Sequence, residues 1–136
     1  MPALVTPDQD QYLRDHLWGV LVTTRAAGTP QATMVAYAWD GHDLAISCHR
    51  SSAKFVNASR RPAVAVTVAD DRRYLAVYGQ AEALATGPDR DALTARVQHA
   101  LGPQDAAILE RAFAQGLDTA GRVILRVVPE QVLGRI

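Results

Sequence analysis

The chain has 136 residues, and its fourteen Lys+Arg cancel fourteen Asp+Glu to a formal charge of zero. That length fits one domain over residues 1–136, and the absence of a basic excess speaks against a dedicated nucleic-acid-binding domain. Apolar residues at 49% and charged residues at 21% exclude disorder as the main state, and the single cysteine, Cys48, excludes a disulfide framework or a multi-cysteine zinc site.

The N-terminal stretch to Asp15 carries three aspartates and no basic region before an apolar core, so it does not read as a secretory signal. Thr6-Pro7-Asp8-Gln9 is a helix start: Thr6 caps, Pro7 suits the first helical position and Gln9 closes a capping box. That helix is expected to run to about His16. Trp18 to Arg25 is rich in β-branched residues and reads as a strand, ending at the turn Ala26-Ala27-Gly28-Thr29-Pro30. Gln31 to Trp39 is a second strand. Asp40-Gly41 favours a tight hairpin turn, and Asp43 to Cys48 returns as a third strand.

Ser51 to Arg61 reads as a helix with Pro62 just beyond it. In the next strand Val64, Val66 and Val68 alternate with Ala63, Ala65 and Thr67; both faces are small, which predicts cover on both sides. Tyr74 to Thr86 is a long strand in which Gly79 marks a bulge. Two helices follow. Leu93, Val97 and Leu101 line one face of the first; Ile108, Leu109, Ala112 and Phe113 line the second, which Gly116 stops. Gly121 to Val128 is expected as a final strand ending at Pro129. Hairpins early, helices late and no βαβ alternation predict an α+β fold with a mostly antiparallel sheet or barrel of about six strands.

The neutral total conceals an uneven distribution. Leu44 to Ala69 contains no acid but holds Arg50, Lys54, Arg60 and Arg61, and Lys54 is the only lysine in the chain. Arg50 and Lys54 flank the Ser51-Ser52 helix start, where the helix dipole already places partial positive charge. Backbone N–H groups, hydroxyls and cations gathered at one helix end suit an anion, above all a phosphate. Lys54, Asn57 and Arg61, at i, i+3 and i+7, share a face, with Phe55 and Val56 left to anchor the helix. The same residues equally describe a solvated basic helix with an ordinary serine cap. No Gly-rich phosphate loop is present, and no aromatic residues interleave with the cations to stack bases.

Other chemistry is sparse. Cys48 and His49 are adjacent on a strand and point to opposite faces, against a Cys–His dyad. His16, His42, His49 and His99 lack metal-ligand spacing, and no metal site is expected. Trp18, Tyr37, Trp39 and Tyr74 are candidates for a core or for an aromatic ligand pocket. No triad is legible, so a reactive group, if there is one, comes with a cofactor.

Ser47-Cys48-His49-Arg50-Ser51-Ser52-Ala53-Lys54 through Pro62 to Val66 resembles the strand–phosphate-helix–strand signature of the split β-barrel flavin and deazaflavin oxidoreductases, which include pyridoxamine 5′-phosphate oxidase. Gly28 to Gln31 leading to Trp39-Asp40-Gly41, and Tyr74 to Glu82, support the likeness over nearly the whole chain. Ser52-Ala53-Lys54 stands where the oxidases have Ser-Arg-Lys, and Pro129 to Ile136 lacks their terminal Arg-Leu-x-Pro element. The short chain and the Ala-Lys pair are most similar to the subgroup that uses coenzyme F420.

That resemblance implies a six-stranded split β-barrel with flanking helices. It assigns the coenzyme's phosphate end to Lys54, Arg50 and Asn57 with the Ser51-Ser52 helix start. It runs Ser47, Cys48 and His49 beneath the coenzyme, sets Gln31, Thr33, Met34 and Val35 against its ring system, and brings Tyr74 from a partner subunit. It further implies a cytoplasmic homodimer with the cofactor at the subunit interface. The expected activity is hydride transfer between F420 and a small electron-poor acceptor, with neither nucleic acid nor membrane as partner. FMN on the same scaffold, or a non-catalytic cofactor or haem carrier using His49, are the alternatives.

Overall fold

The computed structural model describes residues 4–136. Its first helix, α1 (Pro7–Asp15), opens with the expected capping box: Gln9 N–H donates to Thr6 Oγ1 at 3.1 Å, and Thr6 N–H donates to Gln9 Oε1 at 2.9 Å. Three strands follow, β1 (Trp18–Thr24), β2 (Pro30–Trp39) and β3 (Leu44–His49). Asp40-Gly41 does turn the chain, but in a four-residue loop, because Trp39 pairs with Leu44. Asp40 Oδ1 accepts the N–H groups of His42 and Asp43, and Gly41 takes the left-handed φ of 95°. The side-chain-closed loop replaces a two-residue turn.

Helix α2 (Ala53–Arg60) leads into β4 (Ala63–Asp70) and the long β5 (Arg73–Leu84). Helices α3 (Pro88–Ala100) and α4 (Pro103–Gln115) precede β6 (Arg122–Arg135). The six strands close an all-antiparallel barrel in the order β1-β2-β3-β6-β5-β4, giving the α+β architecture expected from the sequence.

One expectation fails here for a physical reason. Pro129 does not end the last strand. It sits opposite Gly79 at a register shift that leaves Glu130 outside the pairing, so the missing proline N–H falls where the ladder is already broken. Beyond it β6 pairs with β5 as far as Arg135. Gly79 is required there, because a Cβ would run into the Val128 carbonyl. Within one chain β4 is covered on one side only. Val64, Val66 and Val68 are buried inside the barrel, whereas no helix lies over Ala63, Ala65 and Thr67, which remain exposed or half-exposed.

Alternation on each strand fills the barrel with Leu21, Tyr37, Leu44, Ile46, Val66, Leu75, Val77 and Leu125, all fully or nearly fully buried. The two early helices plug opposite ends. At one end α1 inserts Tyr12 and Leu13; Tyr12 OH donates to the Val68 carbonyl at 3.1 Å and Tyr37 OH to the Leu13 carbonyl at 2.7 Å. At the other, α2 inserts Phe55 and Ala58, and Arg61 Nε donates to the Thr24 carbonyl at 2.6 Å. Val56 stays at the surface and anchors nothing.

The late helices lie outside the barrel. Val97 of α3 and Leu109 of α4 pack on Ala38, Ala45 and Ile124, forming a second, smaller core. Small residues at 38 and 45 let the helices approach the sheet closely. Ile108, expected on that buried face, is 53% exposed.

Candidate functional site

The pleat of β3 sends Leu44, Ile46 and Cys48 into the barrel and Ala45, Ser47 and His49 to the outside. Cys48 and His49 therefore face different environments and form no dyad. Outside, Ser47 Oγ accepts a hydrogen bond from Arg122 Nη2 at 2.7 Å. His49 Nδ1 lies 2.8 Å from Ser51 Oγ and accepts the Ser51 N–H at 3.1 Å. That places the ring's lone pair at Nδ1 and its proton at Nε2.

Both serines turn back toward His49 and leave the helix uncapped. Ser52 Oγ donates to the His49 carbonyl at 2.7 Å and makes no hydrogen bond to the first turn of α2. The leading N–H groups of α2 consequently have no side-chain acceptor, and no acid stands in its first turn. An ordinary serine cap is thereby replaced by an open helix start with Lys54 in its first turn.

This start borders a cavity of about 320 Å³ on the outer face of the barrel. Pockets that hold small molecules run from about 300 to 1,000 Å³. Its floor is Met34, Val35 and Ala36 of β2 with Ser47, Cys48 and His49 of β3. Val97, Leu101 and Leu109 make an apolar wall from α3 and α4, and Asp105 adds one carboxylate to that wall. Trp18, 43% exposed, and Met34, 65% exposed, leave one side open. Lys54, Ser52 and Arg122 supply polar groups to the lining.

Seven of the residues anticipated from the sequence thus come together: Met34, Val35, Ser47, Cys48, His49, Ser52 and Lys54. The others lie outside this lining. Arg50 is exposed, and its backbone N–H donates to the Gly121 carbonyl at 2.7 Å. Ser51 bonds to His49. On the expected Lys54, Asn57 and Arg61 face, Asn57 and Arg61 turn to the end of β1. Asn57 is buried and donates to Thr23 Oγ1 at 3.2 Å, while its own Oδ1 accepts from Arg61 at 3.3 Å. Gln31 accepts from that same Thr23 hydroxyl, and Thr33 pairs across to Leu21. Tyr74 is exposed at the start of β5, opposite Ala69 and Arg135.

Arg122 is the residue that sequence reasoning missed. It opens β6 directly opposite His49. Among the described residues its Nε is the one buried side-chain polar atom without a hydrogen-bond partner. Burial lowers the pKa of this guanidinium, and Cys48 opposes that shift. The Cys48 thiol is pushed up by burial, with Lys54 and Arg122 both acting in the opposite direction. The two cations, from different elements, thus act on one point beneath the cavity. Arg122 is held in place from behind by Arg90, a 4% exposed side chain that donates to the Arg122 carbonyl at 2.9 Å and the Ala85 carbonyl at 2.8 Å.

A phosphate suits this end of the cavity: an ammonium, uncapped N–H groups and a guanidinium with an unmet donor are its usual partners. The apolar floor and wall suit a flat ring system. The family profile described as pyridoxamine 5′-phosphate oxidase matches residues 5–135. Among solved structures, an F420 reductase is 28% identical with a TM-score of 0.71, the match covering 95% of this chain and 98% of that one. A conserved hypothetical protein from Mycobacterium tuberculosis is 19% identical with a TM-score of 0.77, over 99% of this chain and 88% of that one. The haem storage protein HutZ from Vibrio cholerae is 16% identical with a TM-score of 0.71, over 99% and 96%. These last two share the fold. No protein of curated function matches the sequence.

Proposed function

The chain belongs to the pyridoxamine 5′-phosphate oxidase family, and on that premise we propose that it transfers a hydride between coenzyme F420 and a small electron-poor acceptor of the quinone, enone or tetrapyrrole type. One observation carries the reading. An apolar cavity has, at its rim, an uncapped helix start bearing the only lysine of the chain. The 28% identity to an F420 reductase over nearly the full length of both chains supports the deazaflavin over other ring systems.

In this reading the coenzyme brings the hydride, and the protein contributes binding and placement. Lys54 and the α2 N–H groups hold the phosphate. Met34, Val35 and Ala36 support the ring. Val97, Leu101 and Leu109 keep water from one side, and the open side by Trp18 and Met34 admits the acceptor. Holding both reactants at near-attack distance supplies the rate enhancement, so no side-chain nucleophile is needed.

Titration of the purified protein with F420, followed by the coenzyme's fluorescence, tests this. Saturable binding is expected, weakened about tenfold to a hundredfold in Lys54→Ala, as for loss of one charge-assisted hydrogen bond. Oxidation of reduced F420 by a quinone in the presence of the protein then distinguishes an enzyme from a carrier. FMN or haem retained through purification, with no F420 binding, overturns the proposal.

A further inference from the structure

We infer that Arg122 is a second anion-binding group of this cavity, held in reserve by Ser47 until a phosphate or carboxylate oxygen arrives. The inference rests on the proposed cofactor reading for the identity of the ligand, but its geometric basis is independent of it. A buried guanidinium nitrogen without an acceptor is costly, because its desolvation is not repaid by a hydrogen bond. Arg122 Nε is in that position, and the half-buried side chain lines the cavity. Its single side-chain bond, to Ser47 Oγ, uses Nη2 only.

The backbone around Arg122 is fixed from two sides. Arg90 holds its carbonyl, and its register opposite His49 is set by the β3–β6 pairing. Among the described residues no carboxylate pairs with it, whereas Arg14, Arg73, Arg90, Arg96 and Arg126 each have one. Asp105, the one acid of the lining, bonds to neither Arg122 nor Lys54. An unpaired, fixed and partly unsatisfied cation facing a cavity is complementary to a ligand anion. Lys54 approaches that anion from α2 and Arg122 from β6.

A residue kept for a ligand differs from one kept for the fold in a measurable way. In the ligand-free protein, Arg122→Met removes an unsatisfied donor and keeps the aliphatic stem. Its melting temperature is expected to equal or exceed that of the parent. F420 affinity is expected to fall about tenfold or more in Arg122→Met, with partial recovery in Arg122→Lys. The phosphate-free deazaflavin chromophore should bind parent and variant equally. Equal losses for both chromophores would mean that Arg122 shapes the pocket without touching an anion, and no loss for either would mean no contact; both overturn the inference. If the parent binds neither F420 nor FMN, the cofactor reading fails, and inorganic pyrophosphate becomes the probe. A thermal shift in the parent that is absent in Arg122→Met then sustains the anion site, and no shift in the parent overturns it. Should Arg122→Met fail to fold, that also contradicts the expected stability, and Arg122→Lys carries the binding comparison.

Discussion

Gly121 decides where His49 stands. Its φ of 69° is left-handed, and a Cβ there would come within 2.6 Å of His49 Nε2. The imidazole is thus pressed between this bare backbone and Ser51, just ahead of the helix start that presents Lys54. Gly121→Ala is expected to lower stability by about 1–2 kcal/mol from backbone strain alone. It should also displace the ring and weaken F420 binding. Thermal unfolding checks the first effect and titration the second; an unchanged melting temperature contradicts the first, and unchanged affinity the second. Legibility at this scale followed the range of the signal. Lys54, Ser52 and His49 stood out because an acid-free run with one lysine is visible in the local sequence. Asn57 and Arg61 were misplaced because helical spacing says which residues share a face and not what that face meets, here Thr23 and Thr24 at the end of β1. Arg122 is invisible in the sequence because it lies in a segment where acids and bases nearly balance, and its distinguishing property is a buried Nε without a partner.

Among the elements, α1 depends most on ionised carboxylates. Asp10 accepts the Trp39 indole N–H at 2.9 Å and the Arg14 guanidinium at 2.8 Å, tying the helix to β2. Asp70 accepts from Arg73 at 2.6 Å and lies 3.2 Å from His16 Nε2, tying the helix end to β4. Arg14 and then Trp39 hold Asp10 below the ordinary carboxylate value of 3.8, and Arg73 and then His16 do the same for Asp70. A pKa lowered by folding stabilises the folded state fully above the unfolded value and ceases to do so as pH falls through the folded one. The Asp10 and Asp70 contributions to this latch are therefore expected to weaken below about pH 4. In a Trp18→Phe background, Trp39 fluorescence should change in that range before far-ultraviolet dichroism reports loss of the barrel. Coincident transitions would show that α1 does not release separately. The helix itself was legible from Thr6 to Gln9, since capping is local. Its attachment was not, since Trp39 and Asp70 are remote in sequence. For the same reason the sequence predicts too short a β6: a proline ends an isolated strand, and only the bulge opposite Gly79 accommodates it.

Viewed whole, the barrel is covered unevenly, and the cavity lies where the cover stops. Helices α3 and α4 shield the outer faces of β2, β3 and the start of β6. The remaining outer surface is bare sheet. A cross-strand row runs Met34, Val20, Thr67, Ala76 and Leu133 through five strands, with Tyr78 beside it, and Met34 belongs to both this row and the cavity floor. Met34 is 65% exposed, Leu133 49% and Tyr78 44%. Thr67 is polar and Ala76 is buried, but the large exposed side chains Met34, Leu133 and Tyr78 gather on this one face, as they do at interaction sites. The small residues on both faces of β4, which predicted cover on both sides, are explained if the second cover is another copy of the chain. We propose that the protein is a homodimer through this face, with the cofactor site completed across it and Tyr74 contributed by the partner subunit. Sedimentation at micromolar concentration is expected to give twice the chain mass of 14.7 kDa. Thr67→Glu, which buries a charge at such an interface, should give a folded monomer that binds F420 more weakly, although residue 67 lies outside the cavity lining. A parent protein that sediments as a monomer, or a Thr67→Glu variant that still dimerises, rejects this assembly. A monomeric variant with unaltered affinity would instead locate the whole coenzyme site within one chain, between Lys54, β2 and the α3–α4 wall.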